Sequence, residues 1–243
     1  MTKRVRIDRL LVERGLFESR AKAQEAIAAG MVTADGVTVT KPAEEISTGA
    51  ALQAAPAHPW VSRGGVKLAA ALDHFKIDPA GRICLDVGAS TGGFTQVLLA
   101  RGARRVYAVD VGRGQLHASL RVRPDIVAIE ATDIRKLDPV RLEAPPDLVT
   151  VDVSFIPLKL VLPAAFALAK DTAEAIVLIK PQYEAGPDHV KKGLVRDPAI
   201  HAQVCSDVTA LLTSLGWSVV GIIPSPIAGG DGNHEFLIAA GRR

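Results

Sequence analysis

The sequence predicts an α/β protein in which a mostly parallel sheet, with its last strand antiparallel, follows a small α+β unit. Five apolar runs, each bounded by polar residues, alternate with helical stretches between residues 82 and 181. Such runs are typical of parallel strands covered on both faces, and the alternation is typical of a doubly wound sheet. Because the proline-rich segment APAHPW separates the two parts, we predict domains at 1–59 and 60–243.

The first unit is predicted to contain two short helices and a hairpin. Residues 6–17 have apolar positions at helical spacing, and Ser19 is placed to cap a second helix. In residues 31–40, two β-branched runs flank Asp35 and Gly36, a strong signal for a hairpin turn. A unit of this size buries little surface alone and usually serves as a binding appendage.

The second unit is predicted to contain five parallel strands followed by two more. The five apolar runs lie at 82–89, 105–111, 126–133, 147–155 and 175–181. Helical stretches at 92–102 and 157–170 separate some of these strands. The last two strands, 218–227 and 234–242, are joined by the glycine-rich segment AGGDGN, so we expect the last strand to be antiparallel.

Composition and charge favour a folded protein with an anionic partner. Of 243 residues, 48% are hydrophobic and 23% charged, and the net charge is +3. Residues 1–30 hold seven Lys/Arg against four Asp/Glu, and six arginines accompany a single acid, Asp110, between Arg101 and Arg123. Two such concentrations suit a phosphate-bearing partner, although a solvated face explains either one alone.

Metal, disulfide and membrane proteins fit this sequence poorly. Cys84 and Cys205 lie far apart without a Cys/His cluster, so we expect reduced core thiols. His117, His189 and His234 lack metal-ligand spacing and are expected on the surface or in loops, and no metal is predicted. The N-terminus is too charged for a signal peptide, and the longest apolar run, ten residues, is too short to cross a bilayer. A cytoplasmic protein without a membrane partner is therefore expected.

Four aspartates and a lysine lie at the ends of the five predicted parallel strands. They are Asp86, Asp110, Asp133, Asp152 and Lys180. In an open parallel sheet, ligands bind outside the carboxyl ends of the strands, so we expect these side chains at one rim. One strand-end aspartate usually caps a turn or a helix, but four at intervals of 24, 23 and 19 residues indicate a binding site.

The turn after the first of these strands, LDVGASTGGFT, indicates a bound nucleoside. Glycines let a ligand approach the backbone closely, and we expect contacts from Gly88, Ser90, Gly92 and Phe94. The turn is not the G-x-G-x-x-G of dinucleotide folds. It also carries its own acid, Asp86, which would repel a pyrophosphate but attract the ammonium group of S-adenosylmethionine.

Three further aspartates complete the predicted cofactor site. Asp110 is placed to bind two ribose hydroxyls and Asp133 to meet an adenine edge, with Asp152 at the same rim. We therefore favour S-adenosylmethionine over NAD as the cofactor. An ordinary strand-to-helix turn without a ligand is the other interpretation of this segment.

These motifs resemble those of the TlyA family, in which an RNA-binding domain like that of ribosomal protein S4 precedes an FtsJ-type methyltransferase domain. The resemblance covers essentially the whole chain, through residues 6–37 and then VSRGGVKL, LDVGASTGGFTQ, VDVSFI, LIKPQ and GNHEFL. It implies a Rossmann-like sheet and S-adenosylmethionine-dependent 2′-O-methylation of a cytidine ribose in 23S or 16S ribosomal RNA, or in both.

The resemblance also implies a catalytic tetrad of two lysines and two acids. Carried over by motif, it consists of Lys67, Asp152, Lys180 and Glu235. Without the family, Lys67 would be interpreted as a solvated helix residue and Glu235 as one polar residue of an edge strand. In our hypothesis Lys180 activates or directs the ribose hydroxyl, Lys67 positions the ribose, and the acids orient both amines. Which lysine acts as the base stays open.

Ribosomal RNA or ribosomal subunits are the expected partner, and the sequence predicts no oligomeric state. Phosphate contacts are assigned to Arg4, Arg6, Arg20, Lys22, Arg63 and Arg113. These contacts would position the RNA without reading its bases. The basic segment 180–198 is expected to touch phosphate or, alternatively, to form a lid over the cofactor. Other functions considered are an inactive RNA-binding protein, a cytolysin, as the family's older haemolysin label implies, and another RNA-modifying enzyme such as a pseudouridine synthase.

Overall fold

The computed structural model describes residues 3–242 of the chain. Packing divides the chain into two compact units, Met1–Pro59 and Trp60–Arg243. The first unit has one hydrophobic core, and the second has two, one on each face of its sheet. Within residues 3–242, no helix combines the length and the apolar character needed to span a membrane.

The first unit combines two short helices with five short strands. The helices are α1 (Ile7–Glu13) and α2 (Arg20–Ala28). The strands are β1 (Arg4–Arg6), β2 (Val32–Ala34), β3 (Val37–Thr38), β4 (Glu45–Ser47) and β5 (Leu52–Ala54). Strand β1 pairs with β4, and β2 lies between β3 and β5, with all pairs antiparallel. The predicted helices and hairpin are present, and β1, β4 and β5 are elements that the sequence pattern did not indicate.

Two local signals explain where these elements begin and turn. The Ser19 hydroxyl accepts a hydrogen bond from the backbone N–H of Lys22 at 3.3 Å and so caps α2, as predicted. Asp35 and Gly36 have φ angles of +50° and +79°. Positive φ at both central residues is characteristic of a two-residue hairpin turn, which joins β2 to β3 here.

The second unit is built on a seven-stranded sheet. Its strands are β6 (Ile83–Val87), β7 (Arg105–Val109), β8 (Ile126–Ile129), β9 (Leu148–Val151), β10 (Glu174–Ile179), β11 (Trp217–Pro224) and β12 (Phe236–Arg242). Their order across the sheet is β11-β12-β10-β9-β6-β7-β8. The five strands β6 to β10 pair in parallel, whereas β12 is antiparallel to both of its neighbours. This confirms the predicted mostly parallel sheet with an antiparallel last strand.

Helices cover both faces of this sheet. They are α3 (Gly64–Phe75), α4 (Gly93–Ala100), α5 (Ala118–Arg121), α6 (Leu158–Ala167), α7 (Pro181–Glu184) and α8 (Pro198–Ser214). Successive strand residues point to opposite faces. In β6, for example, Leu85 belongs to the core beneath α6 and α8, whereas Cys84 belongs to the core beneath α3 and α4. The predicted loop 180–198 contains α7 and a 3₁₀ turn, so it is more ordered than expected.

Candidate active site

A cleft of ≈ 480 Å³ opens at the carboxyl edge of the parallel strands. Its walls come from the turn after β6, the end of β7, the 3₁₀ turn that follows β8 and the segment after β9. Five residues predicted to bind a cofactor line it, namely Gly88, Ser90, Asp110, Asp133 and Asp152. The rim predicted from the strand ends is therefore a real concavity.

The turn after β6 approaches the end of β9 so closely that only glycine fits at one position. Gly88 has a φ of +83°, and a Cβ added there would lie 2.3 Å from the backbone oxygen of Asp152. Two residues further on, Ser90 directs its backbone N–H at the carboxylate of Asp110, 2.8 Å away. Neighbouring strand ends thus hold the turn in place, with its backbone at the wall of the cleft.

Asp110 follows β7 directly and has capacity for further hydrogen bonds. Its Oδ2 accepts the N–H of Ser90 at 2.8 Å, and its Oδ1 accepts the N–H of Gly112 at 2.7 Å. A carboxylate offers about four lone-pair sites, so each oxygen can accept another donor. The two ribose hydroxyls predicted for this residue are compatible with that geometry.

Asp133 lines the cleft, but its carboxylate is less available to a ligand than the sequence predicted. Strand β8 ends at Ile129, four residues earlier, so Asp133 does not lie at the strand end. Its carboxylate caps a 3₁₀ turn and pairs with Arg135. The hydrogen bond from Arg135 lowers the pKa of Asp133 to about 2, so the group is ionised at neutral pH. An adenine edge would share this carboxylate with the arginine.

Three residues predicted to contact the cofactor do not line the cleft: Asp86, Gly92 and Phe94. The alternation along β6 turns Asp86 beneath α4, where it is fully buried and accepts hydrogen bonds from Thr95 at 2.6 Å and Thr150 at 3.1 Å. Burial raises the pKa of Asp86 to about 7. Asp86 therefore lies inside the sheet edge rather than at the cleft wall, and its contact with an ammonium group stays a prediction.

Gly92 and Phe94 also support the turn from behind. A Cβ added at Gly92, whose φ is +94°, would lie 2.4 Å from Leu120. Phe94 belongs to the core beneath α3 and α4. Neither residue lines the cleft, so their cofactor contacts stay predictions. Sequence spacing does not show which side of a turn faces a cleft.

Lys180 follows β10, and two residues from the end of β9 hold its amine. Its Nζ lies 2.6 Å from Asp152 Oδ1 and donates a hydrogen bond to Ser154 Oγ at 2.9 Å. A lysine ammonium has three N–H donors, so these two contacts leave one donor for a ligand. Asp152 and Ser154 both line the cleft, so the amine that they hold lies next to the cleft wall.

Lys67 and Glu235 form a second, buried ion pair. Lys67 lies in α3 and is 7% exposed, whereas Glu235 lies directly ahead of β12 and is 4% exposed. The Lys67 amine donates a hydrogen bond to Glu235 Oε2. A buried charge is costly unless it is paired, so each residue makes the burial of the other possible. The solvated helix position that spacing alone favoured for Lys67 is therefore wrong.

The two ion pairs lie next to each other. Ile179 in β10 pairs with Phe236 in β12, so Lys180 and Glu235 occupy the next positions of two adjacent strands. At the start of α3, a Cβ added at Gly64 would lie 3.6 Å from Asp152 Oδ2. Helix α3 thus crosses the same sheet edge, and all four residues of the predicted tetrad are brought together. The arrangement can orient a polar group between two amines and two carboxylates.

The four basic residues of the first unit keep part of their side chains at the surface. Arg6 and Arg20 form ion pairs with Asp8, and their side chains are 40% and 48% exposed. Arg4 donates to a backbone oxygen in β4, and Lys22 lies 3.9 Å from a carboxylate oxygen of Glu25. All four remain candidates for phosphate contacts.

In the second unit, Arg63 and Arg113 occupy different settings. Both are exposed, but Arg63 also donates a hydrogen bond to the backbone oxygen of Ala228. Within segment 180–198, Asn233 fixes the part around Gly193 and Val195 through hydrogen bonds of 2.8 Å and 3.2 Å. The sequence did not predict that the glycine-rich loop ahead of β12, which contains Asn233, anchors this segment.

The cysteines and histidines occupy structural or surface positions. Cys84 is buried, as expected, and burial raises its pKa to about 12, whereas Cys205 is only half-buried. His189 and His234 are exposed, and His117 caps the short helix α5. Among the side chains that the structure describes, those of residues 3–242 except Asp231, no group of three His, Cys, Asp or Glu is placed to hold a metal ion.

Sequence reasoning missed three residues of the site. Ser154 holds Lys180, and Gly229 packs against Glu235 so closely that an added Cβ would lie 2.3 Å from its Oε1. Phe155, at the cleft wall, is 88% exposed and has a φ of +65°. An aromatic residue three positions after the strand-end acid, in VDVSF, was the one signal available for these residues.

Comparison with known proteins first identifies the class of enzyme to which the chain belongs. Residues 60–242 match the FtsJ-like methyltransferase family, and residues 5–52 match the S4 domain. An S-adenosylmethionine dependent methyltransferase from Mesorhizobium loti shares the fold at 14% identity, with a TM-score of 0.53 over 71% of this chain and 96% of that one. The chain is a methyltransferase of the FtsJ-like family, whose fold is that of S-adenosylmethionine-dependent enzymes.

Closer relatives then give the particular family. The chain is 46% identical to the 16S/23S rRNA (cytidine-2′-O)-methyltransferase TlyA of Mycobacterium tuberculosis, over 98% of this chain and 90% of that protein. A solved structure described as a hemolysin from Streptococcus thermophilus is 41% identical, with a TM-score of 0.78, and the match covers 100% of this chain and 90% of that one. The chain belongs to the TlyA family, which confirms the resemblance seen in its motifs.

Proposed function

We propose that this chain transfers a methyl group from S-adenosylmethionine to the ribose 2′-hydroxyl of a cytidine in ribosomal RNA. The observation that carries the proposal is the pair of adjacent lysine–carboxylate ion pairs, one of which reaches through Asp152 the wall of a cleft large enough for a nucleoside. The 46% identical relative is named for this reaction on 16S and 23S RNA, so both RNAs are candidate substrates. A ribosomal RNA substrate implies action in the cytoplasm.

The residues present at the cleft fit S-adenosylmethionine. Gly88 leaves space where a Cβ would close the turn, and Asp110 has lone pairs for ribose hydroxyls. Ser90, Asp133 and Asp152 complete the wall. When bound, the cofactor supplies a methyl group on a positively charged sulfur, which the carboxylates of the cleft attract.

The tetrad would act on the attacking hydroxyl. The 2′-oxygen must lose its proton as it forms the new bond to carbon, so a group that directs or accepts that proton is needed. Asp152 and Ser154 fix the amine of Lys180, and we assign this amine to the hydroxyl. Lys67, whose positive charge is balanced by Glu235, would hold the ribose and stabilise negative charge on the oxygen.

A single substitution tests this assignment. We expect Lys180→Ala to lower kcat for methyl transfer by about 10²-fold or more, because positioning and proton transfer are lost together. Lys159→Ala, which removes an exposed lysine at the start of α6, is the matched control. Calorimetry should find S-adenosylmethionine binding within about twofold of wild type in both variants, since no cleft carboxylate is changed.

The product identifies the reaction. Mass spectrometry of nucleosides from treated 16S and 23S RNA should reveal 2′-O-methylcytidine with wild type and Lys159→Ala only. Near-normal transfer by Lys180→Ala, with normal cofactor binding, would remove Lys180 from the mechanism. Cofactor binding without any methylated RNA from wild type would favour the inactive RNA-binding alternative.

A further inference from the structure

A buried carboxylate holds two basic side chains of the first unit. Asp8, in α1, has no exposed area, and four hydrogen bonds satisfy its two oxygens. Arg6 binds both oxygens, through Nε at 3.1 Å and Nη2 at 3.0 Å. Arg20 Nη2 and Gln24 Nε2 each donate to Oδ2 at 2.8 Å. One acidic group therefore joins two of the arginines predicted to contact RNA.

The two arginines are tethered by Asp8 without being buried. A guanidinium group carries five N–H donors in one rigid plane. Because Asp8 occupies the Nε/Nη2 edge of Arg6, the Nη1 edge of that group faces away from the carboxylate. The same oxygen, Oδ2, binds Nη2 of Arg6 and of Arg20, so these two nitrogens lie within about 6 Å of each other.

Asp8 carries a negative charge, which by itself opposes the binding of RNA to the first unit. The hydrogen bond from Arg6, followed by those from Arg20 and Gln24, holds the pKa of Asp8 well below its usual range, so the group is an anion at neutral pH. An anion weakens the attraction of the two arginines for phosphate. It also fixes the side chains of Arg6 and Arg20, so these side chains lose less rotamer freedom when RNA binds.

We propose that Asp8 is a positioning residue for RNA binding, which holds Arg6 and Arg20 as one pair of guanidinium groups for a single RNA phosphate. Planar guanidinium donors match phosphate oxygens in geometry as well as in charge. The proposal rests on the proposed function, in which the first unit binds ribosomal RNA. It adds a residue that does not contact the phosphate itself and that carries a negative charge, as the phosphate does.

The test compares two substitutions that change the net charge equally. Asp8→Asn and Glu13→Gln each remove one negative charge from α1, but Glu13 is exposed and makes none of the contacts to these arginines. An asparagine keeps one acceptor oxygen and replaces the other with an NH₂ donor, so it cannot accept all four of these hydrogen bonds and holds the pair less firmly. Affinity for deproteinised 16S and 23S RNA is measured with the full chain over a range of salt concentrations.

Positioning and simple electrostatics predict opposite results. We expect Asp8→Asn to weaken RNA binding about fivefold or more at 0.15 M salt and to reduce the slope of log K against log salt by about one, the value for one lost phosphate contact. Glu13→Gln should bind as tightly as wild type or slightly more tightly. S-adenosylmethionine binding should be unchanged in both.

A folding defect is separated from a positioning effect by a third variant. Thermal unfolding shows whether Asp8→Asn is folded at the assay temperature. If it is not, Arg20→Lys, which keeps the charge but loses the planar group, decides the question, with an expected loss of threefold or more. Wild-type affinity in Arg20→Lys, or in a folded Asp8→Asn, would overturn the proposal alone. Failure of wild type to bind either RNA would overturn the proposed function together with it.

Discussion

Gly229→Ala perturbs the proposed site without changing a charged residue. Gly229 has φ −62° and ψ −174°, angles that alanine also adopts, so the backbone is not strained by the substitution. A Cβ at this position would, however, lie 2.3 Å from Glu235 Oε1 and 2.8 Å from its Cδ. The carboxylate that pairs with Lys67 must therefore move.

The size of the effect follows from these distances. Real Cβ contacts essentially never fall below 3.0 Å, so Oε1 must shift by roughly 0.7 Å or more. Glu235 is buried, and its carboxylate cannot reach water without leaving Lys67. Because a misplacement of about 1 Å in a positioned group costs about 10²-fold in rate, we expect kcat to fall between about 10- and 100-fold. Overpacking should cost about 1 kcal/mol of unfolding free energy.

The assay is single-turnover methyl transfer to ribosomal RNA with saturating S-adenosylmethionine. Gly230→Ala is the matched control, because a Cβ added at Gly230 meets nothing within 4 Å. Cofactor affinity should be the same in both variants, since neither position lines the cleft. Equal rates for the two variants, with both folded, would show that catalysis does not depend on where the Glu235 carboxylate lies.

Two further predictions concern the supports of the site. Ser154→Ala removes the hydroxyl that binds Lys180 at 2.9 Å, and the loss of about 1 kcal/mol should lower kcat about fivefold with saturating cofactor; an unchanged rate would mean that Asp152 alone holds the amine. Asp86 has a pKa raised from 3.8 to about 7, so between these values the folded chain holds a proton that the unfolded chain has released. The unfolding free energy of wild type, relative to Asp86→Asn, should therefore fall as pH rises from about 4 to 7, by about 1–4 kcal/mol. Urea denaturation of both proteins at pH 5 and pH 8 measures this difference, and a constant difference would contradict it.

The residues that sequence reasoning placed well are those at the ends of parallel strands. Asp110, Asp152 and Lys180 each follow a strand of the predicted type, and the geometry of an open sheet brings such positions to one edge. No knowledge of side-chain packing was needed for this step. It required only the strand boundaries and their parallel order.

Other features depend on packing that spacing does not encode. Lys67 and Glu235 are 168 residues apart, and their pairing exists only once α3 lies across the edge at which β12 begins. Asp86 looked like a rim residue because it lies next to the strand end, but the twofold alternation of β6 turns it inward. The resemblance to the family singled out Lys67 and Glu235. Only the structure shows that Asp86 is buried rather than at the rim.

The additional strands of the first unit escaped detection for a different reason. Strands β1, β4 and β5 have three residues each, too few for an alternating pattern to be distinguished from a loop. Their pairing depends on contacts between distant segments, such as Val5 with Ile46. The hairpin could be predicted because Asp35 and Gly36 carry a strong local signal for the turn.

The antiparallel last strand is what allows the two ion pairs to meet. The parallel strands contribute Asp152 and Lys180 at their carboxyl ends, whereas Glu235 lies at the amino end of β12. Since β12 is antiparallel to β10, its amino end lies at the carboxyl edge of the parallel strands. A parallel β12 of seven residues would carry Glu235 to the opposite edge, about 20 Å away at roughly 3.3 Å per residue. Lys67 would then be buried without a partner, so the reversal of this one strand is required both for the stability of α3 against the sheet and for the assembly of the tetrad.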